Sequence, residues 1–152
     1  MIKVELTDSE IMMARILGNM RTLVSRHPNT TYTSLEYNIQ KDEEGVIGEM
    51  AFCKHWNIFF NPESSYRHGT SDAVLKGKNI DVKSTRKINK GLQVPHRINK
   101  DIDVFVLGII EGNTVTFVGY ATAAEVYRPE NLQQLSHSPA YVLPQERLTK
   151  WK

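Results

Sequence analysis

Asp72-Ala-Val-Leu-Lys-Gly-Lys-Asn-Ile-Asp-Val-Lys-Ser-Thr85 is the stretch whose reading decides the fold. It reads as a β-hairpin: Gly77 and Asn79 tolerate positive φ, and they lie between two short runs containing β-branched residues, so the chain is expected to reverse across Lys76–Asn79. Side chains on a strand alternate between faces, which puts Asp81 and Lys83 on one surface and sends Ile80 and Val82 into an apolar layer. Reversal then carries Asp72 back beside Asp81.

Two converging carboxylates offer hard oxygen ligands to a divalent cation such as Mg²⁺, which keeps several of its waters and needs few protein groups. The Lys83 ammonium cannot ligate a metal. It can orient or help deprotonate an attacking water and neutralise negative charge that grows on a phosphate, a division of labour suited to phosphodiester hydrolysis. Asp-x-Lys alone is weak evidence, because charged residues make up 24% of the chain and solvated strand pairs often carry such a triplet. Asp81-Val82-Lys83 is, however, the only Asp-x-Lys or Glu-x-Lys triplet present.

A third carboxylate lies upstream. From Asp42 to Trp56, Val46, Ile47, Met50, Ala51 and Lys54 recur at helical spacing and predict a helix with a buried stripe. Asp42, Glu43 and Glu44 suit its first turn, where negative charge complements the helix dipole. Gly45 and Gly48 each cost roughly 1 kcal/mol inside a helix, which close approach to a sheet would explain. Glu49 follows Gly48 and is placed to reach the hairpin, although an exposed face is the commonest fate of a helical glutamate.

With Gly48-Glu49-Met50-Ala51 on a helix, Asp72 opening one strand and Asp81-Val82-Lys83 on the next, residues 43 to 125 resemble the PD-(D/E)XK nuclease superfamily, in particular its small phage-type and resolvase-like members. Two positions depart from the pattern: Ser71 stands where the name-giving proline would, and Asp81 stands where glutamate is commoner, which leaves the number of metal ions open. The resemblance implies an α/β fold of the mixed α+β kind, a restriction-endonuclease-like core with a central four- to five-stranded mixed sheet flanked by helices. It further implies Mg²⁺-dependent cleavage of DNA, with Mn²⁺ able to substitute and a homodimer allowed. Glu49, Asp72 and Asp81 would hold the metal with help from the Val82 carbonyl, and Lys83 would position the water.

At 152 residues and 40% apolar content the chain suits one domain, residues 1–152, with a true core. No apolar run approaches bilayer length and Met1–Leu6 lacks a signal-peptide pattern, so the expectation is a cytoplasmic protein with no membrane partner. The lone Cys53 excludes an internal disulfide and suits buried packing. His27, His55, His68, His96 and His137 show no zinc-ligand spacing, leaving His68 and His96 as candidate substrate contacts.

Thr7 and Glu10 form a capping box for a first helix whose expected apolar face comprises Ile11, Ala14, Leu17 and Met20 with Met13, Ile16 and Leu23. Pro28–Gln40 and Asn61–Ser71 read as connections. Beyond the hairpin, the apolar run ending at Ile110 fits a buried central strand, and Gly112-Asn113 turns it into a partner strand over Thr114–Tyr120. A short helix is expected from Thr122, and Ala140–Leu143 suggests an edge strand.

The formal net charge of +2 says little, but its distribution says more. From Lys83 through Arg86, Lys87, Lys90 and Arg97 to Lys100 no Asp or Glu intervenes, and Gly91 and Pro95 suggest a loop able to follow a nucleic-acid backbone. Basic loops more often serve solubility, and adjacency to the carboxylates favours the DNA-binding reading. The competing expectation is a catalytically inactive nucleic-acid-binding or interaction protein on the same fold. Metal-independent hydrolysis finds no nucleophile-elbow pattern.

Overall fold

In chain order the elements are β1 (Ile2–Glu5), α1 (Asp8–Ser25), α2 (Leu35–Trp56), β2 (Ala73–Leu75), β3 (Lys78–Thr85), β4 (Leu92–Pro95), β5 (Val104–Glu111), β6 (Thr114–Thr122), α3 (Ala123–Val126), β7 (Leu132–Gln134) and β8 (Pro139–Leu143). This computed structural model describes residues 1–25, 34–63, 71–136 and 138–152; His27, His68, His137 and most of the two long connections lie outside them.

The hairpin forms, with Leu75 opposite Lys78 and a two-residue turn in which Lys76 (φ 50°) and Gly77 (φ 75°) both adopt left-handed backbone, the geometry that matches strand twist. Asn79 was expected to help make that turn but belongs to β3. Its backbone N–H donates to Asp103 Oδ2 at 2.8 Å and its side-chain amide donates to the Asp101 carbonyl at 2.9 Å, fastening the hairpin to the entry of β5.

The result is a mixed α/β fold with a five-stranded sheet in the order β1-β6-β5-β3-β2, β3 and β5 being parallel and the other pairs antiparallel. A second sheet, β4-β8-β7, has three strands. Ala140–Leu143 is therefore central in a small sheet rather than an edge, because β4 and β7 pair with its two sides.

Strand β5 explains its own near-continuous apolarity by feeding two cores. Val106 and Ile110 pack with Val46, Ile47, Phe52, Ile80 and Val82 under α1 and α2. Phe105, Leu107 and Ile109 face the other way, against Leu92, Val94, Val126, Tyr141 and Leu143 of the second sheet and α3. Helices thus flank the main sheet. Among the described residues no helix is long and apolar enough to cross a membrane.

The second helix starts earlier than its periodicity suggested. Ser34 caps it by accepting from the Tyr37 N–H, so part of the expected Pro28–Gln40 connection is helical and Asp42, Glu43 and Glu44 sit in its middle, not its first turn. Asp42 there accepts from the buried Thr22 hydroxyl of α1. Gly48 meets the sheet as expected: a Cβ there would stand 2.6 Å from Ser84 Cβ, whereas Gly45 has nothing near it. The first helix buries Ile11 and Ala14, but Met13, Ile16, Met20 and Leu23 of its expected apolar face are exposed, because α2 covers only the opposite side.

Candidate active site

Strand β2 begins at Ala73, opposite Ile80, so among the described residues β3 has no strand partner on that side from Asp81 onward, and the candidate residues gather along it. Asp72 stays in register by donating its N–H to the Ile80 carbonyl at 2.9 Å. Its Oδ2 then accepts from the Val82 N–H at 2.7 Å, one step beyond the last β2 pairing. A strand residue turns N–H and C=O to the same side, so the Val82 carbonyl faces this edge as well.

The alternation expected of β3 holds. Ile80 and Val82 are buried beneath α2, while Asp81 and Lys83 share the other face, where Lys83 Nζ stands 3.0 Å from Asp81 Oδ1 and 3.1 Å from Oδ2. Glu49 comes from α2, carried in by the close contact at Gly48, and is buried rather than displayed on an exposed helical face.

Asp72 feels the other two carboxylates. Burial raises the Asp72 pKa well above the ordinary carboxylate value, and the charges of Glu49 and then Asp81 push the same way, against the Val82 N–H and Lys83. Lys83 responds in the opposite sense to its surroundings: burial alone would lower its pKa, but Asp81, Asp72 and Glu49 together raise it. It is therefore held as an ammonium, fit to orient water and carry positive charge rather than to remove a proton. Burial, with Glu49 and Asp72 nearby, lifts the Cys53 thiol to about 11, which leaves it neutral and unreactive.

Arg21 of α1 is the site residue that sequence reasoning passed over. Its Nη1 and Nη2 donate to Glu49 Oε1 and Oε2 at 2.9 and 3.0 Å, a bidentate pair with both side chains largely shielded. Burial would depress the guanidinium's pKa, and Glu49, Asp72 and Asp42 more than offset that. The only sequence signal was an arginine on a helix otherwise rich in apolar residues, with nothing to say which way it turned.

For a divalent cation the donor chemistry fits, since every candidate ligand is a hard oxygen and Asp72 is a half-buried carboxylate pressed by two others. The arrangement fits in part. Among the described residues no three acidic, histidine or cysteine side chains are gathered into a ready metal cage, and both Glu49 oxygens are engaged by Arg21. Asp72, Asp81 and the Val82 carbonyl would hold such an ion directly, with Glu49 contributing charge.

The basic run is not one flexible loop. Residues Leu92–Pro95 within it form β4, with Leu92 and Val94 buried in the second core. Arg86, Lys87 and Lys90 follow the end of β3, and Lys90 has its pKa lowered by burial and then by Lys87 and Lys41, so Lys41 of α2 joins this group. Arg97 and Lys100 are exposed beyond β4. The chain there returns to the start of β3, where Asn79 holds the Asp101 carbonyl, roughly 20 Å along the strand from Arg86 at about 3.3 Å per residue. Sequence adjacency had merged two separate basic regions. Comparison of the chain with protein-family models, with curated proteins and with solved structures finds no match.

Proposed function

We propose that this protein is a Mg²⁺-dependent nuclease that hydrolyses phosphodiester bonds of DNA on a restriction-endonuclease-like core, and that the PD-(D/E)XK resemblance reflects a shared site. The observation that carries the reading is the charge of Glu49 and Asp81 bearing on the half-buried Asp72 beside β3, with Lys83 fixed on Asp81. A half-buried Asp72 whose ionisation is opposed by two neighbouring carboxylates is better suited to cation chemistry than to holding the fold.

When bound, Mg²⁺ supplies Lewis-acid polarisation of a phosphate oxygen and lowers the pKa of a water. Asp72 and Asp81 would hold that charge beside β3, where the Val82 N–H donates to Asp72. Lys83 remains protonated, orients the attacking water and neutralises charge growing on the phosphate. Arg21 restrains Glu49 by donating to both of its carboxylate oxygens. Arg86, Lys87, Lys90 and Lys41 supply salt-sensitive attraction to the DNA backbone near the end of the same strand.

The test is cleavage of labelled DNA with Mg²⁺ or Mn²⁺. Lys83→Ala should abolish cutting while leaving DNA retardation in a gel largely intact, and EDTA should abolish cutting by the unaltered protein. Retardation without any cutting would favour the inactive DNA-binding alternative.

A further inference from the structure

The first helix has two apolar faces, and among the described residues only one is covered. Ile11, Ala14 and Thr22 are buried towards α2, yet Met12, Met13, Ile16, Met20, Leu23 and Val24 remain 65, 53, 54, 46, 71 and 54% exposed. At 3.6 residues per turn these six fall within an arc of about 120°, and no charged residue of α1 lies inside that arc. Their bare apolar surface is on the order of 500 Å², at the upper end of what monomeric proteins leave uncovered.

We infer that this face is covered by a second copy of the same chain, packed antiparallel across a twofold axis at the level of Gly18. The set of exposed residues is itself symmetric about position 18: Met12 mirrors Val24, Met13 mirrors Leu23, and Ile16 mirrors Met20. A twofold contact requires such self-complementarity, because each side chain must meet the mate of its own mirror position. Met12, Ile16, Met20 and Val24 also form one four-residue ridge, the kind that interdigitates with its equal in helix pairs. Antiparallel pairing sets opposite helix-dipole ends side by side. Two such faces together remove on the order of 1,000 Å² from water, the size at which specific interfaces begin. A charged or phosphorylated partner finds nothing in the arc to answer it. The inference stands whether or not the protein cuts DNA.

Light scattering on the full chain tests it. The unaltered protein is expected at twice 17.4 kDa at micromolar concentration, dissociating on dilution. Ile16→Glu and Met20→Arg should each be monomeric with unchanged helical circular dichroism, because neither side chain packs in the core. Mixing these two variants should restore a dimer, since Glu at 16 then faces the partner's position 20. If either variant loses helicity, Leu23→Gln, at the most exposed of the six positions, takes its place as the weakening substitution. A monomeric unaltered protein overturns the inference, and if that monomer pellets with phosphatidylglycerol vesicles the face belongs to a lipid surface instead. Dimers that survive both substitutions, or variants that fail to re-pair when mixed, overturn it equally.

Discussion

Arg21 on the first helix grips both carboxylate oxygens of Glu49 on the second, at 2.9 and 3.0 Å, and so couples α1 to the candidate site. Removing one partner of a shielded pair leaves an uncompensated charge, so Arg21→Met should cost roughly 2–4 kcal/mol in urea unfolding. Arg21→Met with Glu49→Gln should regain part of that loss. Millimolar Mg²⁺ should also reduce the loss, by binding where the guanidinium charge has been removed; a loss indifferent to Mg²⁺ would count against a cation site here.

Asp72 ties stability to pH with a definite sign. Its raised pKa means the folded protein holds this proton more tightly than the unfolded chain, so the contribution is full below the ordinary value of 3.8 and is lost as pH rises through the raised folded value. Asp72→Asn keeps an acceptor for the Val82 N–H and removes the charge. Thermal melts should show the variant more stable than the parent at neutral pH, the difference vanishing in acid, while cleavage is lost.

Gly48 is required by contact rather than by backbone conformation. A methyl group there would run into Ser84, whose hydroxyl donates to the Glu44 carbonyl at 2.6 Å, so Gly48→Ala should destabilise by about 1–3 kcal/mol. Gly45→Ala, with open space around it, should instead stabilise slightly through helix propensity. Denaturant midpoints of the two variants should therefore move in opposite directions.

For DNA attraction, Lys87→Glu with Lys90→Glu should weaken retardation about tenfold or more at low salt and reduce the dependence of affinity on salt concentration. Changing Arg97 and Lys100 in the same way should have a smaller effect, since the chain between them and β5 returns to the opposite end of β3.

Much of the fold was legible in the sequence because period and turn chemistry carried it. The alternation of Ile80 and Val82 with Asp81 and Lys83, the glycine turn at Gly77 and the unbroken apolarity of Val104–Ile110 are local signals that packing then obeyed. Boundaries failed where context decided. Leu35–Gln40 looked like a connection until Ser34 capped it, and four-residue β1 was too short for alternation to register. The carboxylates were readable as a motif, but Arg21 and Lys41 were not, because their approach depends on how α1 and α2 lie across the chain. The apolar face expected on α1 divides into a covered and an exposed part for a related reason: periodicity reveals an apolar face but not what covers it.

The most direct test of the central claim is a single gel of labelled single-stranded, duplex and branched DNA incubated with Mg²⁺ and either the unaltered protein or Asp81→Asn. At least one substrate should be cut by the unaltered protein and none by the variant, with both proteins folded. Cutting that persists in Asp81→Asn, or no cutting of any substrate by the unaltered protein, would contradict the account.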